Sequence, residues 1–188
     1  MKYKINEIFY SIQGEGYYTG HPAIFIRLSG CNLNCDFCDT KHEDNREYSI
    51  NDILKAIKDF PCNHIVITGG EPSVAENLKD LIYSLKLKNY FIQVETNGTE
   101  PIIADWITCS PKRQNDFSFF PAFTDELKYV ITPDFNFDYI YGIEKWNIPI
   151  YLQPESNKQD NIELCLKKIK ENSSWKLSLQ IHKLMNIR

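Results

Sequence analysis

The chain has 188 residues, a formal charge of −4, 43% hydrophobic residues and 24% charged residues. These are ordinary globular proportions, and the length suits one hydrophobic core and a single domain over 1–188. No apolar run approaches the ~20 residues of a membrane-spanning helix, and Lys and Arg form no strong cluster, so neither a membrane nor a nucleic acid is an expected partner.

Residues 1–8 lack a signal-peptide core and read as the first strand, which predicts a cytoplasmic protein with reduced thiols. Short, β-rich apolar runs follow at 23–28, 64–68, 90–95, 106–109, 127–131, 148–153 and 176–181. Helical spacing appears between them in three places. Ile50, Ile53, Leu54 and Ile57 form the first stripe, with Ser49 as N-cap and Asp52 completing a capping box. Leu78, Leu81, Ile82 and Leu85 form the second, and Ile162, Cys165, Leu166 and Ile169 the third. Segment 111–125 has no helical pattern and reads as a loop, and 177–185 reads as the last strand. Strands alternating with helices predict right-handed crossovers and a mostly parallel sheet. Three helices for about six to seven strands are too few for an eight-unit barrel. The predicted fold is therefore α/β, an incomplete parallel β/α barrel. Its exposed edges favour a homodimer.

Chemistry concentrates in Gly30-Cys-Asn-Leu-Asn-Cys-Asp-Phe-Cys-Asp39, where Cys31, Cys35 and Cys38 can converge on one metal centre. A fully ligated iron–sulfur cluster takes four thiolates. Three would leave one iron of a 4Fe-4S cluster open to the amine and carboxylate of a small molecule such as S-adenosylmethionine. His42 offers a rival reading, a closed Cys3His zinc site in a non-enzymatic module. Cys62, Cys109 and Cys165 are far apart and read as buried, inert thiols.

Ligands of parallel α/β folds gather at the carboxyl ends of the strands. Those ends carry Thr68-Gly-Gly-Glu-Pro72, Glu95-Thr-Asn-Gly98, Ser110-Pro-Lys112 and Gln153-Pro-Glu-Ser156. Taken alone, the first is also a plain strand-to-helix turn, and Asn97-Gly98 is also a hairpin signal. No Ser/His/Asp arrangement or Walker-type loop is present, which argues against a hydrolase or a kinase.

The CxxxCxxC run followed by Thr-Gly-Gly-Glu-Pro resembles the radical S-adenosylmethionine superfamily. Ser11-Ile-Gln-Gly-Glu-Gly16, Cys38-Asp-Thr40, Cys109-Ser-Pro-Lys112, Tyr151-Leu-Gln-Pro-Glu-Ser156 and Leu179-Gln-Ile-His-Lys183 narrow the resemblance to the 7-carboxy-7-deazaguanine synthases, across nearly the whole chain. Asn34 departs from it, since relatives often carry an aromatic between the first two cysteines. The resemblance implies a radical SAM-type partial barrel and a carbon–nitrogen lyase. Such an enzyme contracts the ring of 6-carboxy-5,6,7,8-tetrahydropterin to 7-carboxy-7-deazaguanine with loss of ammonia, on the way to queuosine. It implies a 4Fe-4S cluster, S-adenosylmethionine, Mg²⁺ and an external one-electron donor such as flavodoxin or ferredoxin. The residue roles it implies are as follows: Cys31, Cys35 and Cys38 hold the cluster; Phe37, Cys38, Asp39, Gly70, Ser110, Pro111, Lys112, Gln153, Pro154, Glu155 and Ser156 meet S-adenosylmethionine. Ile12, Gln13, Gly14, Arg27, Thr68 and Arg188 meet the pterin, and Thr40 binds Mg²⁺. Plainer readings stay open for three of these neighbours. Arg27 can pair with Glu15 on the strand face, Thr40 can cap a turn, and His182 can be a packed histidine. A glycyl-radical-enzyme activase would share the cluster and the Gly-Gly-Glu-Pro turn, but gives no reason for 11–16 or 179–183.

Overall fold

The computed structural model describes residues 1–36, 38, 45–112 and 121–187. Its strands are β1 Tyr3–Ile12, β2 Pro22–Leu28, β3 Arg46–Tyr48, β4 His64–Gly69, β5 Phe91–Thr96, β6 Trp106–Cys109, β7 Glu126–Ile131, β8 Ile150–Pro154 and β9 Trp175–Leu177. Among the described residues these nine strands form one sheet in the order β3-β1-β2-β4-β5-β6-β7-β8-β9. Pairing is parallel from β2 through β9, whereas β1 runs antiparallel to both β2 and β3. The outermost strands do not pair with each other, so the barrel is incomplete, as the shortage of helices predicted.

Three main helices cover one face: α1 Ile50–Ile57, α2 Leu78–Lys86 and α3 Gln159–Glu171. Side chains alternate across each strand. Ile24, Ile26 and Leu28 of β2 and Ile65 and Ile67 of β4 therefore join Ile53, Ile57, Leu81 and Leu85 in a core beneath α1 and α2. Leu127, Tyr129 and Ile131 of β7 meet Leu152 and Cys165 in a second cluster beneath α3. The opposite, inner face of the same strands is largely polar and builds the site.

Several sequence expectations need correction. The first strand runs on to Ile12, and the short strand β3 was not foreseen. On α3 the buried stripe passes through Leu164, Cys165 and Ile169, leaving Leu166 exposed. Of the three isolated thiols, Cys109 and Cys165 are buried, and burial pushes each up to about 12. Cys62 is only half-buried and lies 3.1 Å from the Pro22 carbonyl oxygen. Among the described residues of segment 111–125, a 3-10 turn forms at Pro121–Phe123. The last strand is short. Pairing stops at Leu177, and 181–184 is a helical turn, α4 Ile181–Leu184. No helix among the described residues is long and apolar enough to cross a membrane.

Candidate active site

The inner face and the carboxyl ends of the parallel strands enclose a cavity of about 270 Å³. Cys31, Cys35 and Cys38 line it, together with Thr68 at the end of β4 and Gly70 after it, Ser110 and Lys112 after β6, and Gln153 at the end of β8 with Glu155 and Ser156 after it. Ile12 lines it from the last position of β1, Gln13 and Gly14 from the loop that follows, and Arg27 from β2. Segments more than a hundred residues apart thus share one space. Pro111 and Pro154 sit between lining residues without lining the cavity themselves. Phe37, Asp39, Thr40, His42 and Arg188 lie outside the described residues.

The Thr-Gly-Gly-Glu-Pro turn fastens the start of the cysteine loop. Gly70 N–H donates to the Leu28 carbonyl at 3.0 Å, and Glu71 N–H donates to the Gly30 carbonyl at 2.9 Å. A Cβ on Gly70 would collide with that Gly30 carbonyl, so only glycine permits the approach. The buried Glu71 carboxylate accepts from Thr96 Oγ1 at 2.5 Å and from Asn97 N–H at 2.6 Å, drawing the end of β5 alongside. Asn97 in turn donates to Asn32 Oδ1 at 2.9 Å, and Asn32 donates to Thr99 Oγ1 at 2.9 Å. Asn97-Gly98 is therefore no hairpin, since β5 and β6 are parallel. Pro72 opens a 3-10 turn, Pro72–Val74, rather than the helix itself.

The walls suit a flat, polar ligand. Phe9 and Phe25 both line the cavity and stack on each other, with centroids 5.0 Å apart and planes 8° apart. Arg27 pairs with Glu7, its direct neighbour across β1 and β2, at 2.9 Å, and not with Glu15. Lys112 donates to Ser110 Oγ at 2.6 Å. Burial, reinforced by the nearby Lys128 ammonium, lowers the Lys112 ammonium below its ordinary range.

Sequence reasoning left the floor of the cavity unassigned. Lys128 of β7 donates to Glu15 at 2.5 Å and to Glu95 at 2.7 Å, and its side chain is only 5% exposed. Gln180 donates to the other Glu15 oxygen at 2.8 Å, and Gln13 to the other Glu95 oxygen at 3.1 Å. One sequence signal was present: a lysine inside the otherwise apolar run 127–131, in a strand with both faces covered. Behind the floor, Tyr18 meets His64, Phe91 and Trp106 edge-on and closes the amino end of the barrel. α4 brings His182 and Lys183 to the cavity, and a Cβ on Gly14 would run into the His182 ring.

The model of the Radical SAM superfamily matches residues 25–108. The 7-carboxy-7-deazaguanine synthase of Bacteroides thetaiotaomicron is 41% identical over 100% of both chains, and that of Buchnera aphidicola 38% identical, again over 100% of both. Among solved structures, QueE from Escherichia coli superposes with a TM-score of 0.78 at 31% identity, covering 95% of this chain and 94% of that one.

Proposed function

This chain belongs to the 7-carboxy-7-deazaguanine synthase family of the radical SAM superfamily, and we propose that it converts 6-carboxy-5,6,7,8-tetrahydropterin into 7-carboxy-7-deazaguanine with release of ammonia, a step toward queuosine. The observation that carries this reading is the sharing of one cavity by three cysteines, the strand-end motifs and the 12–14 segment. The family implies a 4Fe-4S cluster and S-adenosylmethionine, which when bound supply the radical chemistry that opens the ring contraction.

The donor set suits that cluster. Among the described residues no three His, Cys, Asp or Glu side chains are gathered as a single ion requires. A cluster asks less convergence, because each thiolate meets a different iron. Cys31, Cys35 and Cys38 would hold it on a loop that Glu71 and Asn97 fasten down. Gly70, Ser110, Lys112, Gln153, Glu155 and Ser156 would hold S-adenosylmethionine, together with Phe37, Asp39, Pro111 and Pro154. Ile12, Gln13, Gly14, Thr68 and Arg188 would frame the pterin. Arg27, which Glu7 engages at Nε, suits the pterin carboxylate, since a planar guanidinium can fork onto a carboxylate. Phe9 and Phe25 exclude water beside the ring. Thr40 would place Mg²⁺, a hard ion that takes oxygen ligands. The electron comes from an external donor such as flavodoxin or ferredoxin in the cytoplasm, and a second copy of the chain is the protein partner.

Anaerobically reconstituted protein, given the carboxytetrahydropterin, S-adenosylmethionine and a one-electron reductant, should form the deazaguanine product by mass spectrometry. Cys38→Ala should form none. Cleavage of S-adenosylmethionine with the pterin left unchanged would overturn the assignment.

A further inference from the structure

The floor of the cavity presents two carboxylates that touch one buried ammonium. Glu15 comes from the loop after β1, Glu95 from β5 and Lys128 from β7. All three line the cavity, and their side chains are 14%, 15% and 5% exposed. Each carboxylate gives one oxygen to Lys128 and holds the other against an amide, from Gln180 and Gln13 respectively. Gln93 adds a second amide to Glu95 at 3.3 Å. A carboxylate accepts at about four lone-pair sites, so both retain capacity toward the cavity.

Two buried carboxylates this close cannot both stay ionised without a cation, because like charges raise one of the two pKa values. We propose that Lys128 is a positioning residue that keeps Glu15 and Glu95 ionised and fixed as paired acceptors, so that the cavity floor selects a ring edge bearing N–H donors. The inference rests on the pterin reading and adds the group that sets the charge state of its site. Electrostatics agree with the geometry. Burial alone would raise the Glu15 carboxyl, but the Lys128 ammonium outweighs it and holds the group at about 2. Burial alone would likewise lower Lys128, yet the two carboxylates raise it. The other groups acting on this triad are Lys112 after β6, Glu126 on β7 and His182 on α4, which favours the Glu15 anion.

Lys128→Met keeps an unbranched side chain, one atom shorter, and removes the charge. Affinity for the carboxytetrahydropterin is read by anaerobic calorimetry between pH 6 and pH 8. Wild type should hold one affinity across that range. The Lys128→Met protein should bind at least about 10-fold more weakly at pH 6, where one carboxylate holds a proton and stops accepting there, and recover to within about 3-fold at pH 8 as that proton leaves. Lys128→Met combined with Glu15→Gln removes the surplus charge, which guards against a single variant that fails to fold. It should bind without that pH dependence. A Lys128→Met profile as flat as wild type, or a double variant that keeps the slope, would overturn the role of Lys128. Wild type that binds no pterin at any pH would instead remove the substrate reading beneath it.

Discussion

Glu126 shows how differently a buried carboxyl behaves when its hydrogen-bond donors are neutral. It is 0% exposed, on the same strand as Lys128, and accepts from Thr108 Oγ1 at 2.7 Å and from Tyr17 N–H at 2.8 Å. Both donors are neutral. Burial therefore raises its pKa above 4.5, and the Glu95 charge raises it further, although the Thr108 hydrogen bond opposes. The folded chain then binds a proton more tightly than the unfolded chain. Stability falls as pH rises from 4.5 through the folded pKa, and the deficit persists above it. Glu126→Gln keeps an acceptor for Tyr17 N–H and can donate to Thr108, but carries no charge. Its melting temperature should exceed that of wild type at pH 8 and match it at pH 4. An advantage of ~1 kcal/mol corresponds to about 2–4 °C in a chain of this size. Calorimetry showing the same difference at both pH values would mean that Glu126 is not held by burial.

Among the elements, α1 and α4 mark the two extremes of legibility. Ser49 caps α1 through a reciprocal pair, in which Asp52 N–H donates to Ser49 Oγ at 3.2 Å and Ser49 N–H donates to Asp52 Oδ2 at 2.9 Å. Ile53 and Ile57, both 0% exposed, then fix the helix on the sheet. Every part of that signal lies within nine residues, so periodicity and cap could be read directly. Ser49→Ala should cost about 1 kcal/mol and lower the melting temperature by about 2–4 °C. No α1 residue lines the cavity, so turnover per folded molecule should stay unchanged; a melt that does not move would show that water replaces the cap. The segment 177–185 is ambiguous by the same criteria. Leu177, Leu179 and Ile181 alternate as a strand would, while Ile181, Leu184 and Met185 are spaced as a helix would be. Ser178 N–H still reaches the Leu152 carbonyl at 2.9 Å, and Met185 N–H then bonds to the Ile181 carbonyl at 2.9 Å. Contact with the loop after β1 favours the helical turn, since Ile181 N–H donates to the Gly14 carbonyl at 3.2 Å.

At the scale of the molecule, side chains and loops bridge the seam that strand pairing leaves open. Gly16 N–H donates to Ser178 Oγ at 3.0 Å and Gln180 to Glu15 at 2.8 Å, joining the loop after β1 to the chain beyond β9. The outer edges of β3 and β9 pair with no strand among the described residues. Large apolar side chains also stand exposed, among them Tyr83 at 65%, Leu87 at 63% and Ile103 at 75%. Exposed strand edges and apolar surface are commonly covered by a second copy of the same chain. Light scattering should therefore give a particle of about twice the 22.0 kDa chain mass. A fully active species at the mass of one chain would remove the second copy from the function.

The sequence alone determined the α/β class, the three helices and the spacing of the three cysteines, along with the order of motifs at the strand ends. These features are written in contacts a few residues apart, where apolar period, capping and turn chemistry act. Only the tertiary structure decided which strand ends share a cavity and which charges meet in it. Arg27 meets Glu7 because of the β1–β2 register, with an irregularity between Ile5 and Glu7. Lys128 meets Glu15 across 113 positions of sequence. A buried charge is stabilised by whatever opposite charge the fold brings within reach, and strand register and sheet order set that partner, not the local pattern in which the charge sits.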